Sequence, residues 1–188
     1  MLPPRFGRTL ATSALFLLLF TLVLGVVYPF AMWGVGRAFA AKTDGSFVTD
    51  DTGTVVGSRL IGQEFPGQDM FHSRPSAAGY DAMDSGATNL TLTDAELIAT
   101  VDARRLAIMA EEGLQDPAAV PVDAVTASAS GLDPHISPDY AALQVPRVAR
   151  ATGVAEEQLL ELIGDATEGR GVNVLLLNLA VQRTAATN

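Results

Sequence analysis

No charged side chain falls between Arg8 and Arg37, and hydrophobic positions fill that interval with few polar breaks. The run exceeds the roughly 20 apolar residues needed to cross a ~30 Å hydrocarbon core. It predicts one transmembrane helix over residues 9–36, preceded by a short tail at 1–8. About a dozen Leu, Val and Phe residues each favour insertion by roughly 0.3 to 0.6 kcal/mol near the bilayer centre, and no ionised group opposes them. Tyr28 and Trp33 are amphipathic aromatics of the kind that gather at a membrane interface, and Pro29 predicts a kink beside them. Small residues at Ala11, Ser13, Ala14 and Gly25 permit close packing against other helices.

The pattern changes after the helix. Residues 37–45 read as a short polar connector, and 46–188 as one soluble domain. Ser46 to Thr49 and Thr54 to Val56 flank the turn-forming Asp50, Asp51, Thr52 and Gly53, which predicts a β-hairpin continuing to Leu60 and Ile61. From Gly62 to Thr91 the chain is rich in Gly, Ser, Pro, Asn and Asp, yet it carries Phe65, Met70, Phe71 and Tyr80 at intervals. A loop of that length is usually a binding surface or is pinned by its own side chains. Thr93 and Glu96 then have capping-box spacing ahead of Leu97, Ile98, Val101, Ile108 and Met109, which recur on one face, and Gly113 is the expected stop.

Residues 114–123 read as a linker and Val125 to Ser128 as a short strand. Ser137 followed by Pro138 marks a helix start, and Pro146 should kink or split that helix. Ala155 to Asp165 is amphipathic through Leu159, Leu160, Leu162 and Ile163, and Val172 to Val181 is an apolar strand, helix or both. Strands and helices segregate more than they alternate, so the fold class is mixed α+β behind one N-terminal transmembrane helix. No internal repeat is visible.

Charge sharpens the division. All 21 acidic residues lie beyond Arg37, with nine of the 12 basic ones, so residues 38–188 carry nine minus 21, or −12. Such a domain does not bind nucleic acid or an anionic surface through bulk electrostatics, and it concentrates cations, although solubility is the simpler reading. The chain has no cysteine, which excludes disulfides, thiolate catalysis and Cys-based zinc sites. A cleaved signal peptide is the rival for the N-terminus: Arg5 and Arg8 make a basic start, and Ala38, Phe39 and Ala40 resemble a cleavage site. A signal hydrophobic region normally has only about 7 to 15 residues, half of this run. Arg5, Arg8 and the terminal amine nearly balance Arg37 and Lys42, leaning weakly to an N-terminus inside.

Candidate chemistry is sparse. The two histidines are His72 and His135. Asp133 and His135 could share a proton or a metal, but zinc needs three or four ligands and no third is signalled. The alternative is that Asp133 caps the turn while His135 donates to a backbone carbonyl. The serines near Ser128 and Ser130 lack the G-x-S-x-G pattern of a nucleophile elbow. Neither a phosphate-binding G-x-x-x-x-G-K-[ST] loop nor a G-x-G-x-x-G turn is present. Residues 85–89 could nest an anion or form a tight turn.

Three runs in the first half of the outer domain (Gly57 to Phe65, Phe71 to Ala77, Ser85 to Leu90) resemble, in order and spacing, the KdpC family of the Kdp-type potassium-transporting P-type ATPases. The second half does too, through Val125 to Pro138, Gln144 to Arg150, Val172 to Leu175 and Leu177 to Ala180. The resemblance implies an accessory subunit without an active site of its own. Its partners would be a channel-like subunit that selects potassium, a P-type ATPase subunit that hydrolyses ATP, and a very small membrane peptide. It further implies a catalytic chaperone that raises the ATP affinity of the pump subunit, with Gln63 of the Leu60-Ile61-Gly62-Gln63 segment contacting the nucleotide. Potassium would be carried by the partner subunit, and this chain would sit in the cell membrane with its N-terminus cytoplasmic and its main domain extracytoplasmic. An ATP contact requires the opposite face, so the two implications exclude one another in a single pose. Two departures stand out: only Gly171 separates Thr167 to Arg170 from Val172, and Ala87 stands where the family usually has glycine. Two other readings remain, a processed soluble binding protein and a membrane-tethered hydrolase using His135.

Overall fold

The computed structural model describes residues 5–187, which form two compact units dividing between Ser46 and Phe47. The first unit is dominated by one 32-residue helix, Phe6–Arg37, long and apolar enough to cross a membrane. It comprises α1 (Phe6–Leu22), a π-helical turn (Val23–Val27) and α2 (Tyr28–Arg37). The π turn has a cause in the sequence. Pro29 offers no N–H to the carbonyl of Gly25, and the helix widens just before it, so that the Tyr28 N–H reaches back five residues to Val23. The connector holds a single helical turn, α3 (Ala40–Thr43), and Arg37 grips both carboxylate oxygens of Asp44 at 3.0 and 2.9 Å.

The second unit is the α+β domain. Strands β1 (Phe47–Thr49) and β2 (Val55–Ser58) pair antiparallel around the expected turn. One oxygen of Asp50 accepts from the Thr52 amide, the Thr52 hydroxyl and the Thr54 amide at 2.6 to 2.9 Å. Those bonds, the Thr52 hydroxyl foremost, hold the Asp50 carboxyl below its ordinary pKa. The hairpin ends at Ser58 and does not extend to Leu60 and Ile61. Leu60 instead turns under the Ser58 hydroxyl, and the Ile61 amide bonds back to the Ser58 carbonyl.

The helix that follows is α4 (Ala95–Glu112), and its N-cap is Asp94, not Thr93. Asp94 accepts from the Glu96 amide at 2.8 Å, which puts Glu96 one position too early for a capping box but leaves its charge near the positive helix end. Gly113 ends the helix in the left-handed region, as its sequence position suggests. Val101, Ile108 and Met109 face the core, whereas Ile98 is exposed. The stretch expected to be a linker contains a 3₁₀ turn (Pro117–Ala119) and α5 (Val122–Val125). Val125 to Ser128 is therefore not a strand. After Pro121 the chain closes one helical turn, and the Thr126 amide and hydroxyl both return to the Val122 carbonyl.

A small sheet ordered β3-β5-β4 lies in the second half, with β3 (His135–Ile136), β4 (Thr167–Glu168) and β5 (Gly171–Asn173) all antiparallel to their neighbours. The short spacing at Gly171 resolves as a tight β4-β5 hairpin with Gly169 at positive φ. Helix α6 (Pro138–Thr152) starts with the Ser137 cap and runs through Pro146 unbroken. Proline deprives the Ala142 carbonyl of its donor, but Ala142 and Pro146 both face outward, where water can replace it. Helices α7 (Glu156–Asp165) and α8 (Val174–Thr187) complete the core with Val145, Val148, Leu159, Ile163, Val172, Leu177 and Val181. The apolar run from Val172 is thus strand then helix.

Candidate functional site

The long loop after the hairpin is pinned by side chains, and the pins define the most constructed region of the domain. Phe71 is fully buried, and its amide and carbonyl are both taken by Asn178 of α8, at 2.7 and 3.0 Å. The next residue is held the same way by Gln144 of α6, which accepts from the His72 amide at 2.6 Å and donates to the His72 carbonyl at 3.3 Å. Two side-chain carboxamides therefore do for this loop what a neighbouring strand would do. Arg147, one turn further along α6, donates to the carbonyls of Gln68 and Met70 and to Gln144 at 2.7 to 2.9 Å. Its Nε meets Glu112 of α4 at 2.8 Å, with both side chains only 3% exposed. Gln144 and Arg147 occupy core-facing positions of α6, between Tyr140, Ala141, Val145 and Val148. Polar residues on an otherwise apolar stripe are the available sequence signal for this clamp.

His72 belongs to the same assembly. One ring nitrogen meets the Phe65 carbonyl at 2.5 Å and the other Glu111 at 3.0 Å. Burial pushes the Glu111 carboxyl up, but the hydrogen bond and charge of His72, helped by Gln68 and Arg147, hold it below its ordinary value. Beside this lies a cleft of about 380 Å³ lined by Phe65, His72, Ser73, Tyr80, Arg104 and Tyr140 among others. Burial raises the pKa of both tyrosines, so each hydroxyl stays protonated.

Gln63 does not line that cleft. Its carboxamide turns against the hairpin, donating to the Val56 carbonyl at 3.1 Å, while its Oε1 is buried with no donor among the described residues. The fit requires glycine opposite, since a Cβ on Gly57 would collide with that oxygen. The main chain of Gln63 is fixed by Ser73, whose hydroxyl donates to its carbonyl at 2.8 Å.

His135 sits elsewhere, on β3. Asp133 caps the turn, accepting from the His135 amide at 3.0 Å, but among the described residues the imidazole donates to no backbone carbonyl. It lies between two carboxylates, Asp133 at 3.5 Å and Glu168 at 3.3 Å. Each of these is also paired with an arginine, Asp133 with Arg74 at 3.0 Å and Glu168 with Arg59. No serine or threonine hydroxyl is among the described partners of the ring. No group of three or more His, Asp or Glu suited to a metal occurs among the described residues. At 85–89 the chain forms no regular turn; the Ser85 hydroxyl and Gly86 amide both donate to the Ser130 carbonyl, at 2.9 and 3.0 Å.

Likeness to known proteins decides the family. Residues 10–183 match the family described as KdpC: K+-transporting ATPase, c chain. The chain belongs to the KdpC family. Among curated KdpC proteins, each named a potassium-transporting ATPase KdpC subunit, it is 48% identical to that of Kineococcus radiotolerans, over 95% of both chains. It is 45% identical to that of Mycobacterium tuberculosis, over 94% of this chain and 98% of the relative. For Geobacter metallireducens the identity is 42%, over 92% and 96%. The KdpC match spans the apolar helix, the clamped loop and the His135 strand alike, so the sequence resemblance drawn from short runs holds for the chain as a whole.

Proposed function

We propose that this chain is the accessory, non-catalytic subunit of an ATP-driven potassium uptake complex. The helix Phe6–Arg37 anchors it once in the cell membrane with the N-terminus cytoplasmic, and the α+β domain lies on the extracytoplasmic face. There it stabilises assembly of the channel-like potassium-binding subunit, the P-type ATPase subunit and the small membrane peptide. It acts as a catalytic chaperone, raising the ATP affinity of the ATPase subunit through the assembly. The supporting observation is the near full-length likeness to potassium-transporting ATPase KdpC subunits. The acidic domain suits a position over a cation entry path, where it raises local cation concentration. The test is ATP titration of potassium-dependent hydrolysis by the complex with and without this chain. A higher apparent KM for ATP without it is expected, and an unchanged KM overturns the chaperone role.

A second reading places the domain on the cytoplasmic face, with Gln63 touching the nucleotide. It is favoured by one observation, the Gln63 oxygen that has no donor among the described residues and would gain one from a ligand amine. It requires the carboxamide to swing away from Val56. In the assembled complex, Gln63→Ala with an unchanged apparent ATP affinity would eliminate it.

A further inference from the structure

The two ends of the apolar helix are charged differently. At the far end Arg37 is neutralised by Asp44, bound through two oxygens. At the near end neither Arg5 nor Arg8 has an ion pair among the described residues, and Asp44 is the first acidic residue in the sequence. Both guanidinium-bearing residues lie on one groove of the helix surface, which continues past Thr12 to Phe16 and Phe20. The two phenyl rings stack with centroids 6.2 Å apart and make an apolar floor beyond the charges. The Thr9 and Thr12 hydroxyls are turned inward to the carbonyls of Arg5 and Arg8, at 3.2 and 2.9 Å, so recognition of a head group falls to the arginines. Arg5, at the N-cap, makes no side-chain bond to the first turn, whose amides and positive dipole end add to the attraction.

We propose that this groove is a binding site for an anionic phospholipid. The phosphodiester is held by Arg5 and Arg8, and an acyl chain runs along Phe16 and Phe20. Charge complementarity selects the occupant. Two unpaired guanidiniums directly above an apolar stripe match an anionic head on a hydrocarbon tail, whereas an apolar helix from another subunit would leave both cations unanswered. The inference rests on the membrane-anchoring reading.

The test uses the full-length chain in its membrane complex, extracted in mild detergent. Native mass spectrometry after exposure to phosphatidylglycerol or phosphatidylcholine with identical acyl chains reads out bound lipid. The wild type should retain phosphatidylglycerol in preference, and an Arg5→Gln, Arg8→Gln double variant should lose about tenfold or more of that preference. Soluble glycerophosphoglycerol should not displace the lipid, and displacement would overturn the lipid assignment in favour of a simple phosphate contact. Equal retention of both lipids, or a double variant that keeps the preference while still fractionating with membranes, overturns the site and leaves the anchor intact. Release of the chain from membranes by alkaline carbonate overturns both.

Discussion

Arg147 is the residue on which the clamped loop turns. Removing it leaves the Glu112 carboxyl buried without its partner, with one of its oxygens already lacking a partner among the described residues. Arg147→Met should destabilise the chain by about 3–5 kcal/mol in urea unfolding in detergent, and pairing it with Glu112→Leu should recover most of the loss. Gln63 is predicted to behave oppositely. Gln63→Met loses the bond to Val56 but also a buried oxygen without a donor, so stability should change by less than ~1 kcal/mol in the same assay. Acid sensitivity has a defined sign. The Glu111 and Glu168 carboxyls sit below their ordinary value of 4.5 in the folded chain: burial raises each, and the bonds from His72 and from Arg59 with His135 outweigh it. Each contributes stability that is present above the unfolded pKa and lost as pH falls through the lower folded value. The thermal midpoint should therefore drop on acidification below that range, and Glu111→Gln should make the drop shallower.

At the level of elements, boundaries follow local chemistry where one residue decides them. Ser137 caps α6 through the Tyr140 amide at 3.0 Å, and its hydroxyl also donates to Asp123 at 2.8 Å. Ser137→Ala should cost about 1–2 kcal/mol, measured as a shift in the urea midpoint at constant slope. The hairpin turn, the Gly113 stop, the Ser137 start and the apolar helix are all legible in the sequence, because each depends on neighbours within four residues. The differences share the opposite property. Val125 to Ser128 has strand-forming residues but no partner strand, and Leu60 and Ile61 lie beyond the last bond of the hairpin. A break at Pro146 does not occur, because a helix tolerates proline according to the face it occupies, and here that face is solvent. The loop clamp by Asn178 and Gln144 spans 107 and 72 residues of sequence. Periodicity can mark those positions as buried, but it cannot name what they hold.

For the whole molecule, an apolar helix long enough to cross a membrane is followed by a domain whose long loop is held by side chains from distant helices. With likeness to KdpC subunits over most of the chain, the retained helix is the premise of the functional account. Native mass spectrometry of the affinity-tagged chain, purified from cell membranes, tests that premise most directly. The account predicts a chain of full mass, residues 1–40 included, released on activation from a complex with the channel-like and ATPase subunits. A chain recovered alone, trimmed after Ala40, would contradict it.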